Sequence, residues 1–272
     1  MSSIKEEKQP KLSIITINLN NRTGLEKTIR SVVGQTFTDF EYVVIDGAST
    51  DGSVEVIQEY EDRIDYWVSE PDSGIYNSMN KGIEACTGEF ILFLNSGDIL
   101  LSRWSLEKVM SKIQKNDIIV LWDIYTGKNI WNLPKVNMVK HFINSFVGHS
   151  GCALFNAKVF QQVGKYDESY LLHGDREFYY RLIEKYNDNT FRKIPGLYSV
   201  FEPGGSPQTN KYRGQHSKAE KRRIEATHSD IFRLYFRDYT YRYHPPLLTR
   251  VINKFQIRIL PLIRTLKIIS SL

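Results

Sequence analysis

Four clusters of polar and acidic residues interrupt the first hundred residues, each directly after a short apolar run. They occupy positions 18–21, 46–51, 72–74 and 95–98. A carboxylate in a polar turn is an oxygen ligand for a divalent cation. A carboxylate that ends an apolar strand, as Asp46 does, is costly to bury unless a hydrogen-bonding partner satisfies it. The pattern predicts one ligand site built from four segments of the chain.

The elements between these clusters alternate between strand and helix patterns. Strands are predicted at 12–17, 40–45, 66–69 and 90–94, and helices at 24–33, 54–60 and 74–85. Farther along, the patterns predict a strand and hairpin at 118–131 and helices at 156–163 and 176–186. Such alternation is typical of an α/β fold with a mostly parallel, Rossmann-like sheet covered by helices on both faces. Because ligands bind beyond the carboxyl ends of parallel strands, we expect the four clusters along one edge.

The composition indicates a folded protein without a membrane span. Of the 272 residues, 41% are hydrophobic and 12% are aromatic, which is too many for a disordered chain. The cysteines, Cys86 and Cys152, have no metal-ligand spacing and suggest a reducing compartment. Residues 1–10 lack the apolar core of a signal peptide, and the chain contains no uninterrupted apolar run long enough to span a bilayer. We expect a disordered N-terminus at 1–10 and a cytoplasmic protein.

Positive charge is concentrated at the C-terminal end. The formal net charge is +5, but residues 1–210 hold 22 Lys and Arg against 27 Asp and Glu, whereas residues 211–272 hold 14 against 4. A basic tail indicates an anionic partner surface, either a membrane or a polyphosphate. Nucleic acid is not expected as a partner, since no recognised nucleic-acid-binding module accompanies the charge.

The last part of this tail, residues 247–272, has the pattern of a basic amphipathic helix. Its apolar stripe consists of Leu248, Val251, Ile252, Phe255, Ile259, Leu262, Ile263, Leu266 and Ile269. Such a helix lies in the interface of an anionic membrane, where each cation adds on the order of 1 kcal/mol. The same stripe fits a helix packed on the main domain, and the sequence does not choose between the two.

Seven segments, in order and in spacing, resemble the family 2 glycosyltransferases of the GT-A fold. They are residues 13–21, 44–53, 70–82, 88–98, 148–155, 174–178 and 204–206. The likeness is closest to the branch that builds capsule, O-antigen and colanic-acid-like polymers. It implies a GT-A domain at 11–207, with a nucleotide half at 11–100 and an acceptor half at 101–207. A basic helical extension at 208–272 would follow, placing the protein peripherally at the inner face of the cytoplasmic membrane.

The resemblance implies an inverting transferase with a nucleotide-sugar donor and a saccharide or lipid-linked saccharide acceptor. A UDP-sugar is expected, with GDP- and dTDP-sugars as alternatives. Asp175 matches the family's general base, which accepts the proton of the attacking hydroxyl. A helix N-cap at Asp175 would be compatible with that role. Many relatives have a carboxylate before the base, where this chain has Gly174.

The resemblance also places the nucleotide sugar against the strand ends and the loops that follow them. The expected positions are Thr16, Ile17, Asn18, Asn20, Asp46, Ser49, Asp72, Asn80, Asn95, Ser96 and Gly97. Asp46 is expected to recognise the base, although an Asx-turn into Gly47 would also explain it. Asp72 is expected to contact base or ribose, to stabilise the following helix, or to do both.

Asp98 is the candidate ligand for Mg²⁺ or Mn²⁺, which would neutralise the leaving diphosphate. The wider family usually shows two acidic residues in an Asp-x-Asp arrangement, whereas this chain has Ser96 and Gly97 beside Asp98. The departure leaves the affinity and identity of the metal open. A polar turn that merely closes a buried strand is the structural alternative.

Two further segments complete the expected donor site. His149 is expected near the diphosphate or the acceptor, although an isolated histidine is more often structural. Gly204, Gly205 and Ser206 resemble a loop that closes over the diphosphate, since glycines supply hinge freedom and backbone N–H donors.

Two other functions compete with this interpretation. A sugar-phosphate nucleotidyltransferase shares the layered α/β design but would want a Gly-rich, Arg-containing loop after the first strand, where this chain has Asn18-Leu19-Asn20-Asn21. A non-catalytic nucleotide-sugar-binding scaffold at the membrane is compatible with the single carboxylate of the metal motif and with the basic tail. Asp175 argues against the scaffold, because a binding module needs no base.

Deletion of residues 247–272 should abolish association with vesicles that contain anionic phosphatidylglycerol, because it removes both the apolar stripe and its cations. Co-sedimentation at low and high salt measures this, with phosphatidylcholine vesicles as the control. Unchanged association of the truncated chain would contradict the interfacial helix and favour the helix packed on the domain.

Overall fold

The computed structural model describes residues 9–126, 130–131, 150–187, 190–201 and 215–229. Contacts divide the chain into two units, 1–226 and 227–272. The elements named below lie in the first unit, except for the final residue of the last helix. The stripe at 247–272 and all but two residues of the expected disordered N-terminus lie outside the described residues. The domain boundaries expected from the sequence stay predictions.

The first hundred residues form four strands and three helices in alternation. They are β1 Leu12–Asn18, α1 Arg22–Val33, β2 Phe40–Asp46, α2 Ser53–Glu59, β3 Tyr66–Ser69, α3 Ile75–Ala85 and β4 Phe90–Phe93. A 3₁₀ turn at Glu61–Arg63 precedes β3. Each element lies within two residues of its predicted limits, because apolar runs closed by polar turns define both ends of each strand.

Five more strands and four more helices follow. They are β5 Ile99–Leu100, α4 Ser105–Met110, β6 Ile119–Tyr125, β7 Ile130–Trp131, β8 Ala153–Asn156, α5 Lys158–Gln162, α6 Gly174–Tyr186, β9 Phe191–Val200 and α7 Gln215–Thr227. The predicted hairpin is the antiparallel pair of β6 and β7. Strand β9 was not predicted, because Pro195-Gly196 interrupts its pattern with a turn signal; its pairing with β6 shifts register between Leu121 and Ile124.

One mixed sheet contains all nine described strands. The order is β3-β2-β1-β4-β8-β6-β9-β5, and β7 pairs with β6. The strands β3, β2, β1 and β4 are parallel to one another, whereas β8 is antiparallel to both β4 and β6. Strand β6 is parallel to β9, and β5 is antiparallel to β9. The predicted α/β fold is confirmed, and its parallel part is concentrated in the half that carries the four polar clusters.

Helices cover both faces of the sheet, as the sequence predicts. Alternate strand residues such as Leu12 and Ile14 belong to one buried cluster with apolar side chains of α1, α2 and α4. Phe93 packs on the other face, within an aromatic cluster that includes Phe155 of β8 and Phe160 of α5. Among the described helices, none is both long and apolar enough to cross a lipid bilayer.

Candidate functional site

The four polar clusters meet along one edge of the sheet, as the sequence predicts. In the pairing register, Asn18 at the end of β1 lies opposite Asp46 at the end of β2, and Asp46 lies opposite Ser69 at the end of β3. Beyond β4, the N–H of Ser96 donates to the carbonyl of Ile17 at 3.1 Å. The carboxyl ends of β1 to β4 therefore form a row of polar groups where α/β proteins bind ligands.

Asp46 is the hub of this row, and its side chain is completely buried. One carboxylate oxygen accepts from the Asn18 amide at 2.8 Å and from the Ser49 hydroxyl at 2.6 Å. The other accepts from the Ser49 N–H at 2.8 Å and from the Ser69 hydroxyl at 2.6 Å. Because a carboxylate offers about four acceptor positions, all are used within the protein. The direct base contact expected of Asp46 would require one of these bonds to be given up.

Asn18 presents an acceptor close to Asp46. Its amide nitrogen donates to Asp46 and, at 3.2 Å, to the hydroxyl of Ser49. These acceptors fix the orientation of the amide, since an ionised carboxylate needs a donor. The Oδ1 atom of Asn18 is buried and accepts no hydrogen bond from the residues that the structure describes. A buried acceptor without a donor costs about 1–3 kcal/mol, so a ligand N–H would be favoured at Oδ1.

The loops after β1 and β2 are joined by Asn20 and Ser49. The N–H of Asn20 donates to the Ser49 hydroxyl at 2.8 Å, and the Asn20 side chain accepts from the N–H of Thr50 at 2.9 Å. Thr16 lies in the interior, where its hydroxyl donates to the carbonyl of Leu94 at 2.8 Å. Thr16 therefore links β1 to the end of β4, and its side chain is completely buried.

Asp72 lies beside the row, in the loop between β3 and α3. Its carboxylate accepts from the N–H of Gly74 at 2.9 Å and from the hydroxyl of Ser78 at 2.6 Å. Gly47 approaches Asp72 so closely that a side chain at position 47 would collide with the carboxylate. Asp72 thus stabilises the start of α3 beside the Asp46 turn, which is the structural role that the sequence allowed. Its contact with base or ribose stays a prediction.

Thr28 of α1 holds the turn at residues 95–98. Its hydroxyl accepts from the N–H of Gly97 at 3.0 Å and donates to the carbonyl of Asp98 at 2.8 Å. Gly97 has a φ of +104°, in the left-handed region that favours glycine. The turn is therefore fixed to α1, and the side chain of Asp98 is buried within it.

The oxygen atoms of this turn suit a hard divalent cation. Asp98 offers a carboxylate and Asn95 an amide oxygen, and Mg²⁺ is typically held by one or two carboxylates while water and phosphate oxygens complete its shell. Among the described residues, no group of three or more His, Cys, Asp and Glu side chains could hold a metal. The carboxylate of Asp98 and the amide oxygen of Asn95 are of the ligand type that fits a cation whose remaining shell comes from water and a bound phosphate.

Asp175 is the second residue of α6, and it is partly buried. Its Oδ1 accepts from the N–H of Arg176 at 2.7 Å and from the hydroxyl of Tyr76 at 3.2 Å. Burial raises the pKa of Asp175 to about 7, even though these two donors and the Arg176 guanidinium favour the charged form. Desolvation thus outweighs the hydrogen bonds, leaving a carboxyl group that changes protonation near neutral pH.

The contact between Asp175 and Tyr76 depends on Gly174. A Cβ at position 174 would lie 2.9 Å from ring atoms of Tyr76, closer than packed atoms allow. Burial and the nearby Asp175 charge raise the pKa of Tyr76 well above its ordinary value, so its hydroxyl stays protonated and donates. Tyr76 was not predicted as a site residue. It lies in the 70–82 motif, but no sequence signal connects it to Asp175.

An aromatic cluster links Tyr76 to α6. The ring centroids of Tyr76 and Tyr166 are 5.6 Å apart, those of Tyr166 and Phe178 are 4.8 Å apart, and Phe178 stacks on Phe160 at 5.0 Å. Buried aromatic pairs contribute about 0.5–1.5 kcal/mol each beyond their area burial. The cluster therefore gives Asp175 a rigid setting.

The side chain of Asn80 is bonded within the protein. Its amide nitrogen donates to the carbonyl of Tyr166 at 2.9 Å and to Glu168 at 2.8 Å, and its oxygen accepts from the N–H of Tyr166 at 3.0 Å. These bonds hold the segment that leads to Asp175, and they leave Asn80 little capacity for the donor contact that the resemblance implied. His149, Gly204, Gly205 and Ser206 lie outside the described residues.

The family model and two relatives that match this chain are all described as glycosyltransferases. A family model described as glycosyl transferase family 2 matches residues 13–164. An uncharacterized glycosyltransferase of Mycobacterium tuberculosis is 31% identical over 180 residues, which is 63% of this chain and 68% of that protein. The GalNAc(5)-diNAcBac-PP-undecaprenol beta-1,3-glucosyltransferase of Campylobacter jejuni is 37% identical over 107 residues, which is 38% of this chain and 34% of that protein.

Two solved structures share the fold at low sequence identity. The complex of S. aureus TarS 1-349 with UDP-GlcNAc matches with a TM-score of 0.61 and 15% identity, covering 88% of this chain and 77% of that chain. The mannosyltransferase PcManGT from Pyrobaculum calidifontis, in complex with GDP-Man and Mn²⁺, matches with a TM-score of 0.59 and 13% identity, covering 93% and 81%. Both likenesses confirm the GT-A fold expected from the sequence.

Asp175→Asn should stabilise the protein at alkaline pH. The pKa of Asp175 rises from 3.8 to about 7 on folding, so the native state holds a proton that the unfolded state releases. The resulting stability is complete below about pH 4 and is lost as the pH rises through 7, and Asn removes this loss. We expect the free energy of unfolding at pH 8 to rise by about 1 to 3 kcal/mol.

Urea denaturation at pH 5 and pH 8 measures this difference. Glu225→Gln, which removes an exposed carboxylate of α7, is the matched control and should show no gain at pH 8. If the gain in free energy of unfolding from Asp175→Asn is no larger at pH 8 than at pH 5, then ionisation of Asp175 does not destabilise the native state, and the prediction is wrong.

Proposed function

We propose that this chain, which belongs to glycosyl transferase family 2, is an inverting glycosyltransferase with Asp175 as its general base. It moves a sugar from a nucleotide-sugar donor to a saccharide or lipid-linked saccharide acceptor in surface polysaccharide biosynthesis. The observation that carries the proposal is the partly buried carboxyl group of Asp175, which accepts from the Tyr76 hydroxyl at 3.2 Å. Desolvation of this group raises its pKa to about 7. A base with that pKa is ionised in part of the population at neutral pH and still accepts a proton readily.

The chemical step is a single displacement. The acceptor hydroxyl oxygen forms a bond to the anomeric carbon while the bond from that carbon to the donor diphosphate breaks. The diphosphate leaves with the bonding electron pair, and the hydroxyl proton passes to the Asp175 carboxylate. The Tyr76 hydroxyl, 3.2 Å from Asp175, holds the carboxylate in place as it receives the proton.

We place the nucleotide at the row of strand ends. The Oδ1 atom of Asn18 accepts an N–H of the base, and Asp46 holds the Asn18 amide in the orientation that this requires. Uracil, thymine and guanine all present a ring N–H, so this contact favours UDP-, dTDP- and GDP-sugars over donors whose base lacks one. A UDP-sugar is our first choice, in keeping with the UDP-GlcNAc complex of the structural neighbour TarS.

A divalent cation, Mg²⁺ or Mn²⁺, is the proposed cofactor. When bound, it would neutralise charge on the leaving diphosphate, and Asp98 with the Asn95 amide would hold it. The Mn²⁺ in the complex of PcManGT supports this choice. The relative that acts on an undecaprenol-linked saccharide supports a lipid-linked acceptor, which would place the protein at the cytoplasmic face of a membrane.

Asp175→Asn should lower kcat by about 10²–10⁴-fold, because the hydroxyl proton then has no acceptor. Donor affinity should change by less than about twofold, since Asp175 does not hold the nucleotide. For the wild type, kcat/KM should rise with pH through about 7 and then level off, as the carboxylate becomes ionised. Release of the nucleoside diphosphate measures turnover, and calorimetry measures binding.

Glu225→Gln is again the matched control and should behave as the wild type does. Near-normal turnover in Asp175→Asn would refute the base assignment. Intact donor binding with no turnover in the wild type, for any acceptor offered, would favour the non-catalytic scaffold.

A screen of UDP-, GDP- and dTDP-sugars by thermal shift, with and without Mn²⁺, should identify one nucleotide class that raises Tm in a metal-dependent way. Asp98→Ala should remove the dependence on metal. Asn18→Ala should weaken binding of the preferred nucleotide by about tenfold, since the N–H of the base then lacks its buried acceptor. The Tm of each variant without donor controls for folding. Stabilisation by none of the donors would contradict the nucleotide site.

A further inference from the structure

Helix α7 holds the chain that leads into the base through one carboxylate. Glu220 accepts from three successive backbone N–H groups: Leu171 at 2.6 Å, Leu172 at 3.1 Å and His173 at 3.0 Å. Successive N–H groups that converge on one anion form a nest, and hydrogen bonds to a charged acceptor are about twice as strong as neutral ones. His173 is the N-cap of α6, so Glu220 also places negative charge at the start of that helix, where the macrodipole favours it.

Other side chains of α7 reinforce this contact. The hydroxyl of Ser217 lies 2.8 Å from Nε2 of His173. Arg223 donates to the hydroxyl of Ser169 at 2.9 Å, and its guanidinium lies 4.3 Å from the ring centroid of Tyr170. Contacts from α7 therefore run along the segment from Ser169 to His173. Glu220 stands out among them because it is one of only four acidic residues at 211–272.

The residue before this segment, Glu168, is bound by α3. Asn77 and Asn80 donate to the two oxygens of Glu168 at 2.9 and 2.8 Å. The same helix supplies Tyr76, whose hydroxyl reaches Asp175. The short link between Tyr170 and α6 therefore sets the distance between Asp175 and its tyrosine donor. Glu220 of α7 binds the consecutive backbone N–H donors of that link.

We propose that Glu220 is a positioning residue for the general base, an inference that rests on the proposed function. Its carboxylate fixes the backbone from Leu171 to His173 so that Asp175 stays beside Tyr76. Helix α7 lies in the basic segment predicted as an extension of the domain, yet Glu220 connects it to the backbone that leads into Asp175. Within the described part of the chain, the ionisable groups that interact with Asp175 are Tyr76 of α3, Tyr166 of the preceding segment, and Arg176 and Tyr179 of α6.

Glu220→Ala should lower kcat by about 10- to 100-fold while donor affinity changes less than about twofold, because misplacement of a catalytic group by about 1 Å has effects of this size. The acid limb of the kcat/KM profile should also move to lower pH, since a released Asp175 is exposed to water and its pKa falls toward the ordinary value. Glu220→Gln, which keeps one acceptor oxygen, should recover part of the loss. The matched control is Glu225→Ala, an exposed carboxylate on the same helix.

A second readout does not depend on turnover. In protein labelled with ¹³C at the aspartate carboxyl groups, the Asp175 signal is assigned by its absence in Asp175→Asn, and its titration midpoint is compared between wild type, Glu220→Ala, Glu220→Gln and Glu225→Ala. A lower midpoint in Glu220→Ala, or in Glu220→Gln should the alanine variant fail to fold, supports the proposal. A midpoint and an acid limb identical to those of Glu225→Ala overturn it, whatever the change in Tm. If Asp175→Asn retains turnover, the base assignment fails instead, and the titration still reports whether Glu220 positions Asp175.

Discussion

A carboxylate buried at the end of a strand must find a donor for each oxygen lone pair, and this constraint on Asp46 organises the edge of the sheet. Its four hydrogen bonds bring together the ends of β1, β2 and β3 and the loop at Ser49. The same bonds orient the Asn18 amide and leave its oxygen as an acceptor. The polar edge is therefore preformed. Its geometry is set by the Asp46 carboxylate, which a ligand does not need to contact.

At Asp175, the loss of hydration outweighs the hydrogen bonds that stabilise the charged carboxylate. Asp46 is completely buried, whereas Asp175 is partly buried with fewer hydrogen-bond donors, and desolvation raises the pKa of its carboxyl group to about 7. Asp46 is thus satisfied by four hydrogen bonds, whereas Asp175 has the raised pKa that the proposed base requires. A partly compensated charge destabilises the fold, and the surrounding aromatic cluster and the α7 contacts keep that destabilising group in place.

The sequence could predict the elements and their edge, because apolar runs, helical spacing and polar turns are local signals. It could not predict which donors satisfy Asp46, since Asn18 and Ser69 come from other strands and their amide and hydroxyl look like any other polar group. The contact between Tyr76 and Gly174 was not predicted for the same reason, because it exists only after α3 and α6 pack. Glu220 was hidden by the charge count, which describes residues 211–272 as basic and does not distinguish a solvated carboxylate from one bound to three N–H groups.

The close approach of Gly174 to the ring of Tyr76 also means that a substitution at one position constrains the residues allowed at the other. A relative that acquires a side chain at position 174 must accept a smaller residue at 76 or shift α3, so the two sites should diverge as a pair. In lineages that lose the phenol, the base would lose a donor to its ionised form and would work at more alkaline pH. With Asp175 as the proposed base, the pH range of activity would then be open to tuning by coupled substitution at positions 76 and 174 without any change in the base itself.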